Sequence, residues 1–541
     1  MSRRCNSVRL HPDYPHNLLR QFGQQSRLQK ALAVVTLGGS MQAQQHWDIS
    51  AWTGSKRHKG MACLENIPLV GGMIAMLERL SLQMLWKDPL DQSDEILQGY
   101  FHYMKKTADR KMLRAKKTSE LSVKCSLIDH FSFPLPVYTV FFYPKHIDQQ
   151  RIVDAIERTL DDFPLFAGRL RKTEGHLYID CNNEGVELTS VYSEGRLSEF
   201  LSKYPDLKAT AFVNEINPYA TLKERWPLLK IKLSYFSEGL AIGYSWHHSV
   251  GDMSTFMQFL NAVSLAAKAE KIPHPIVFTD REKDLESSNP DAPSQSANLK
   301  LLSVADIFQL VKQHSFPAET VYLYFSNEEL EALRQACSEG GGHKLSRNDA
   351  LCGHLLEAVA TAREDDSDTQ CASIAINARK RLKLDPNTPG NILGIATIQL
   401  PKHSSAADFA TAIHENVSQY SIDFNMTEKF VQEHGGIEKV QWMIPIQFLP
   451  KYRNIIFTSW ANFGVYSIDF GVATPDLFLP VGEVPLPWAA RIVEGFQNQG
   501  RLVALTLPSK VAAGIKQPEM LAKIHRYRPQ GQTEAVWDWV K

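Results

Sequence analysis

Lys271–Lys300 (KIPHPIVFTDREKDLESSNPDAPSQSANLK) is the stretch that most limits the folds open to this chain. It is rich in proline, serine and charge and shows neither the period of a strand nor that of a helix, so it reads as a crossover between two structured bodies. On both sides of it, short apolar strands alternate with amphipathic helices. Upstream, Pro136–Tyr143 (PVYTVFFY), Leu177–Asp180 and Leu240–Trp246 read as strands. Asp148–Asp161 carries Ile152, Ala155, Ile156 and Leu160 on one helical face, and Asp252 caps a helix with the stripe Phe256, Leu260, Val263 and Ala267. Downstream the expected strands are Val321–Phe325, Ala372–Asn377, Ile392–Leu400, Ile455–Trp460, Tyr466–Phe470 and Leu502–Leu507, with helices at Asn327–Cys337 and Ser346–Ala362. This is an α/β chain of two lobes, 118–270 and 301–541, joined by the linker 271–300.

Residues 1–117 have a different texture. They show little strand character and end in the basic run Lys105–Lys117, so they read as a mainly helical or partly disordered N-terminal extension. Within it, Ile67–Trp86 forms an amphipathic stripe, expected to dock on the main body rather than on a membrane surface. The first 47 residues hold six Arg/Lys and Asp13 as their one acid, a faint likeness to a transit segment that the scarcity of serine opposes. The apolar runs Ala31–Gly39 and Ile67–Trp86 are too short, or too interrupted by Glu78 and Arg79, for the roughly 18 residues of a membrane span.

Charge and cysteine content exclude further classes. Lys+Arg and Asp+Glu are each 59, so neither nucleic acid nor an anionic membrane is expected as the main partner, and an anionic ligand must be met by a local pocket. The seven cysteines, at 5, 63, 125, 181, 337, 352 and 371, form no CxxC pair. That argues against a disulfide framework and a zinc ribbon and for a reducing, cytoplasmic setting. Cys352, in an apolar helical stretch, reads as a buried thiol rather than a nucleophile.

Chemistry is concentrated in Tyr244–Asp252 (YSWHHSVGD), where a strand delivers two histidines, a small-residue turn follows and Asp252 opens a helix. A histidine at a strand end projects into a cleft, Gly251 leaves room for a substrate near the backbone, and an imidazole of pKa about 6.5 accepts a proton at cellular pH. The alternatives are a packed histidine pair and a helical metal pair. The strand before His248 and Gly251 after it spoil the helix that a metal pair needs, and no third ligand is near. Asp252 is in either case a helix cap.

This segment belongs to an ordered set that resembles the BAHD acyltransferases over about 120–510. Leu121–Asp129 (LSVKCSLID), Phe141–Pro144 (FFYP) and Phe163–Arg171 (FPLFAGRLR) with Ile179–Gly185 (IDCNNEG) come before the HxxxD of His248–Asp252. Leu345–Leu356 (LSRNDALCGHLL), Asn377–Arg381 (NARKR) with Gly390–Asn391, Thr458–Trp460 (TSW) and Asp469–Gly471 (DFG) follow it. Met253 stands where the family usually has glycine, and Val472 and Ala473 replace the Trp and Gly of its DFGWG, a change read as repacking of a supporting segment. The first 117 residues have no counterpart in that pattern.

The resemblance implies two chloramphenicol-acetyltransferase-like lobes, mixed sheets with flanking helices, around a tunnel with the catalytic histidine midway. It implies acyl transfer from acyl-CoA, a co-substrate rather than a bound cofactor, to a small hydroxyl- or amine-bearing acceptor, by a monomer that needs no metal. His248 is then the general base. Asp252 pairs with Arg379 and, with Gly251, supports the loop. Thr458 and Trp460 line the oxyanion and acceptor side. Lys344, Ser346 and Arg347, behind the Gly340–Gly342 loop, are the expected CoA-phosphate contacts at a helix N-terminus. The competing readings are a carrier-protein-dependent condensation enzyme and a non-catalytic binding protein on the same fold.

Overall fold

The computed structural model describes residues 104–531, apart from 199–208, 274, 276–279, 283–298, 315–317, 340–343, 422–423 and 482–487. The stripe at 67–86, the basic N-terminal 47 residues and the Gly340–Gly342 loop lie outside the described residues.

In chain order the first strands are β1 (Met104–Leu113), β2 (Ser122–Lys124), β3 (Val137–Tyr143), β4 (Arg169–Thr173), β5 (His176–Asp180), β6 (Val186–Ser193), β7 (Leu229–Tyr235) and β8 (Leu240–Trp246). After the crossover come β9 (Leu299–Leu301), β10 (Ala318–Phe325), β11 (Thr369–Asn377), β12 (Leu393–Pro401), β13 (Met443–Pro445), β14 (Ile455–Ser459), β15 (Leu477–Pro480), β16 (Ala489–Glu494) and β17 (Arg501–Pro508). Two six-stranded mixed sheets dominate, ordered β1-β6-β7-β8-β3-β15 and β10-β17-β16-β14-β11-β12. The chain is thus mixed α/β with a sheet in each lobe. Among the described residues no helix is long and apolar enough to cross a membrane.

In the first lobe, β8 is buried along its whole length, which is why it reads as a continuous apolar run rather than an alternation. Helices Gln149–Leu160 and Met253–Ala267 pack on this core through Ile152, Ile156 and Leu160 and through Phe256, Phe259, Leu260 and Val263. Each such side chain contributes about 1.5–3 kcal/mol when fully buried. In the second lobe the alternation is visible. Ile455 and Phe457 of β14 enter the core built on helix Arg347–Ala362, whereas Trp460 packs into the first lobe's core. Because side chains alternate across a strand, Thr458 shares the face of Trp460 and is turned toward the first lobe.

Three expectations are corrected. β1 lies inside the segment read as an extension, yet it pairs antiparallel with β6 from Leu113↔Val186 onward. As an edge strand it leaves Asp109, Arg110 and Lys111 exposed, so its basic composition hides its strand character. The lobes are not contiguous in sequence: β15, from the second half of the chain, pairs with β3 (Phe478↔Phe141) and completes the first sheet. Tyr466–Phe470 is not a strand. Gly464 adopts φ 73° and its carbonyl accepts the Ser467 N–H at 2.9 Å, closing a 3-10 turn over Val465–Ser467. Just beyond, Val472 is 40% exposed, whereas Ala473 packs against the first core.

Candidate active site

β8 ends at Trp246 and passes straight into His247 and His248. Alternation places the two imidazoles in different surroundings. His247 is fully buried, edge-on to Phe133 at 5.0 Å, and its Nδ1 accepts the Ser249 N–H at 3.2 Å. Burial lowers its pKa to about 3, helped by its neighbour His248, so it stays neutral and caps the turn His248–Val250. His248 keeps part of its surface open. Burial pushes its pKa below the ordinary value, against the opposing pull of Asp252, Asn391 and Asp129. Its ring is therefore neutral at cellular pH.

Asp252 is turned to structure. It is the N-cap of helix Met253–Ala267, and its Oδ1 accepts the Thr255 N–H at 3.0 Å. Arg379 clamps the same carboxylate with two bonds, Nη1 to Oδ2 at 2.7 Å and Nη2 to Oδ1 at 3.0 Å. The Ile392 N–H adds a third donor at 3.3 Å. Arg379 is fully engaged as well: its Nε donates to the Thr388 carbonyl at 2.8 Å and its Nη2 to the Gly390 carbonyl at 3.0 Å. A bidentate, buried pair of this kind fixes geometry as well as charge.

Gly251 is required by close approach. A Cβ there would lie 2.6 Å from Thr255 Cβ. Thr255 cannot yield, because its hydroxyl donates to the Gly390 carbonyl at 3.1 Å and accepts the Gly390 N–H at 3.0 Å. The Trp246 indole, stacked on Phe256 at 3.9 Å, donates to the Gly251 carbonyl at 3.1 Å and holds the turn from below.

A second buried network meets the other side of the turn. Asp129 accepts the Ser126 N–H at 2.8 Å in the capping box of helix Leu127–Ser132. Its other oxygen accepts from Asn391 Nδ2 at 2.8 Å, and the same amide donates to the His248 carbonyl at 2.7 Å. Arg281, out of the crossover, donates to Asp129 at 3.1 Å and to the Ser249 and Val250 carbonyls at 2.9 and 2.8 Å. Asp129 and Asn391 stand in motifs visible in the sequence, but their residue type and spacing give them no role there. The Ser126-x-x-Asp129 spacing signals only a helix start. Arg281 has no local signal, since a lone arginine in a polar linker reads as solvated.

The structure thus gathers His248, Gly251, Asp252 and Arg379 into one cluster. Thr458 and Trp460 lie on and after β14, on the face turned to the first lobe, where Trp460 joins the core that holds Trp246 and Val250 and its backbone N–H bonds the Ile492 carbonyl at 2.8 Å. Lys344, Ser346 and Arg347 lie elsewhere, at the start of helix Arg347–Ala362. Lys344 is exposed, the Ser346 hydroxyl accepts the Asp349 N–H at 3.0 Å, and Arg347 pairs with Glu331 at 3.1 Å. Cys352 is fully buried, which pushes its thiol up and leaves it inert. Among the described residues no group of His, Cys, Asp or Glu is arranged to hold a metal.

A two-lobed α/β body with a histidine turn clamped between its sheets defines an acyltransferase class, and comparison with known proteins agrees. The transferase family model matches residues 105–519, and the chain belongs to that family, the acyl-CoA-dependent BAHD acyltransferases. Akuammiline synthase 2 of Alstonia scholaris is 27% identical over 388 residues, 65% of this chain and 80% of that protein. In fold the chain is similar to vinorine synthase (TM-score 0.59, 19% identity, 81% of this chain and 100% of that one). It is also similar to TRI101 of F. graminearum complexed with coenzyme A and T-2 mycotoxin (TM-score 0.63, 13% identity, 74% and 98%).

Proposed function

We propose that this enzyme transfers an acyl group from coenzyme A to the hydroxyl or amine of a small acceptor, with His248 as general base in a ternary complex. The observation that carries the reading is the contrast within one turn. His247 is sealed and used as a cap, whereas His248 is neutral and partly open, with Asn391 holding its carbonyl. His248 removes the acceptor proton as the oxygen or nitrogen attacks the thioester carbonyl. The tetrahedral oxyanion collapses, the C–S bond breaks, and the imidazolium returns the proton to the CoA sulfur.

Asp252 supports the turn through Arg379. It does not pair with the imidazole, because its oxygens are taken by Arg379, Thr255 and Ile392. Thr458, on the strand face turned toward the first lobe, donates to the oxyanion, and Trp460 walls the acceptor side. Lys344 and Arg347 receive the CoA phosphates at the helix start. The Arg347–Glu331 pair is solvent-exposed on the arginine side, so exchanging it for a phosphate costs little. The described cysteines are free and buried, which suits a reducing, cytoplasmic compartment.

The test is thiol release from a panel of acyl-CoAs and acceptors. His248→Ala lowers kcat by roughly 10²–10⁴-fold with the fold retained, while His247→Ala costs much less activity and mainly stability. The reverse order of effects would move the base to His247, and transfer from an acyl-carrier protein but not from free acyl-CoA would overturn the donor.

A further inference from the structure

Two buried arginine–carboxylate pairs bracket the His248 turn, and only Asp252–Arg379 belongs to the HxxxD motif. The second joins Asp129, which is 0% exposed, to Arg281, which is 3% exposed. The partners are 152 residues apart in sequence and come from different parts of the fold, a helix of the first lobe and the crossover. Between the pairs runs the Gly390–Asn391 turn of the second lobe. Gly390 is pressed against Arg281 so closely that a Cβ would meet its Nε at 3.1 Å, and φ at Gly390 is 108°.

We propose that Arg281 and Asp129 are positioning residues for the catalytic histidine, so that the crossover between the lobes is a working part of the active site. The proposal rests on His248 being the base. Arg281 grips the turn by the carbonyls of Ser249 and Val250, the two residues after His248. Asp129 orients Asn391, whose amide holds the His248 carbonyl itself. The pair therefore fixes both the residue that carries the imidazole and the backbone that follows it. A displacement of about 1 Å in a catalytic group can cost up to 10²-fold in rate, which is the scale on which such a brace matters.

The arrangement also sets the field at the imidazole. The charged and titratable groups around it are His247 and Asp252 on its own turn, Asp129 from helix Leu127–Ser132 with Cys125 just before it, Arg281 from the crossover and Arg379 beyond β11. Asp129 favours the imidazolium, and the positive charge of Arg281 paired with it must act in the opposite sense. Removing one partner therefore moves the His248 titration in a direction fixed by the charge left behind. Asp129→Asn leaves a guanidinium that cannot shed its proton, so the imidazolium is disfavoured. Asp129→Asn combined with Arg281→Met removes both charges together.

The experiment measures kcat/KM against pH for the full chain, and the titration of the His248 ring by NMR in protein with labelled histidine. The His248 resonance is identified by its loss in His248→Gln. In Asp129→Asn the acid limb and the NMR titration both move to lower pH, and in the double variant both move back toward wild type. Arg281→Lys keeps the charge but not the forked grip on two carbonyls. It lowers kcat about tenfold or more with KM for acyl-CoA nearly unchanged and the titration close to wild type. A uniform loss of activity with an unmoved titration in Asp129→Asn overturns the proposal, as does a shift to higher pH. If Asp129→Asn does not fold, Arg281→Lys decides: unchanged kcat sinks the proposal. Wild-type activity in His248→Gln would instead sink the general-base reading, a separate failure.

Discussion

Replacing Asp252 by Asn tests whether this carboxylate is a brace or a reacting group. The side chains of Arg379 and Asp252 are 3% and 5% exposed, so their charges are compensated by each other and by local dipoles rather than by water. Breaking a buried pair by neutralising one partner costs about 3–5 kcal/mol. The lower end is expected here, because Arg379 keeps the Thr388 and Gly390 carbonyls and Asn can still accept the Thr255 N–H. Arg379→Met should reach the upper end, since it strands a carboxylate in the interface. The double variant should be less destabilised than the sum of the singles, with a coupling energy above about 1 kcal/mol. Urea unfolding read by fluorescence, alongside thiol release, gives stability and activity on the same samples. Asp252→Asn is expected to lose both together. A variant that unfolds like wild type yet is inactive would refute the brace and make Asp252 a direct participant.

Gly251→Ala drives a methyl against Thr255, so about 1–3 kcal/mol of stability and most of the activity should go; a thermal melt and a rate show whether they do, and an unaffected variant would mean the turn is loose. A chain beginning at Lys116 loses β1 and bares the edge of β6, and should be less soluble and lower melting than the full chain. Equal melting of the two would show that β1 adds nothing to the sheet. Dialysis against a strong chelator should leave activity intact, because Asp252 is already committed to Arg379; loss that zinc alone restores would revive a metal role for His248 and Asp252.

Much of this protein is legible without coordinates. Helix starts follow from residue type alone: Ser346, Asp148 and Asp252 each cap the helix expected to follow. Strands β3 and β10 stand out because a run of β-branched and aromatic residues has few other uses. The histidine turn is legible because a strand, a pair of imidazoles, a glycine and a cap follow one another in ten residues or fewer. Family membership is legible for a different reason, the order of several short motifs.

What the sequence by itself determined, then, is the local conformation of most elements and the make-up of the histidine turn, since periodicity, caps and side-chain type act within a few residues. The tertiary structure alone decided partnership. It placed β1 beside β6 and β15 beside β3, drew Arg281 out of a polar linker to Asp129, and set Thr255 against Gly251 and Gly390. Periodicity reports that a face is buried but not against what. A buried charge must find its counter-charge wherever the fold brings one within hydrogen-bond reach, however far away in the chain that is.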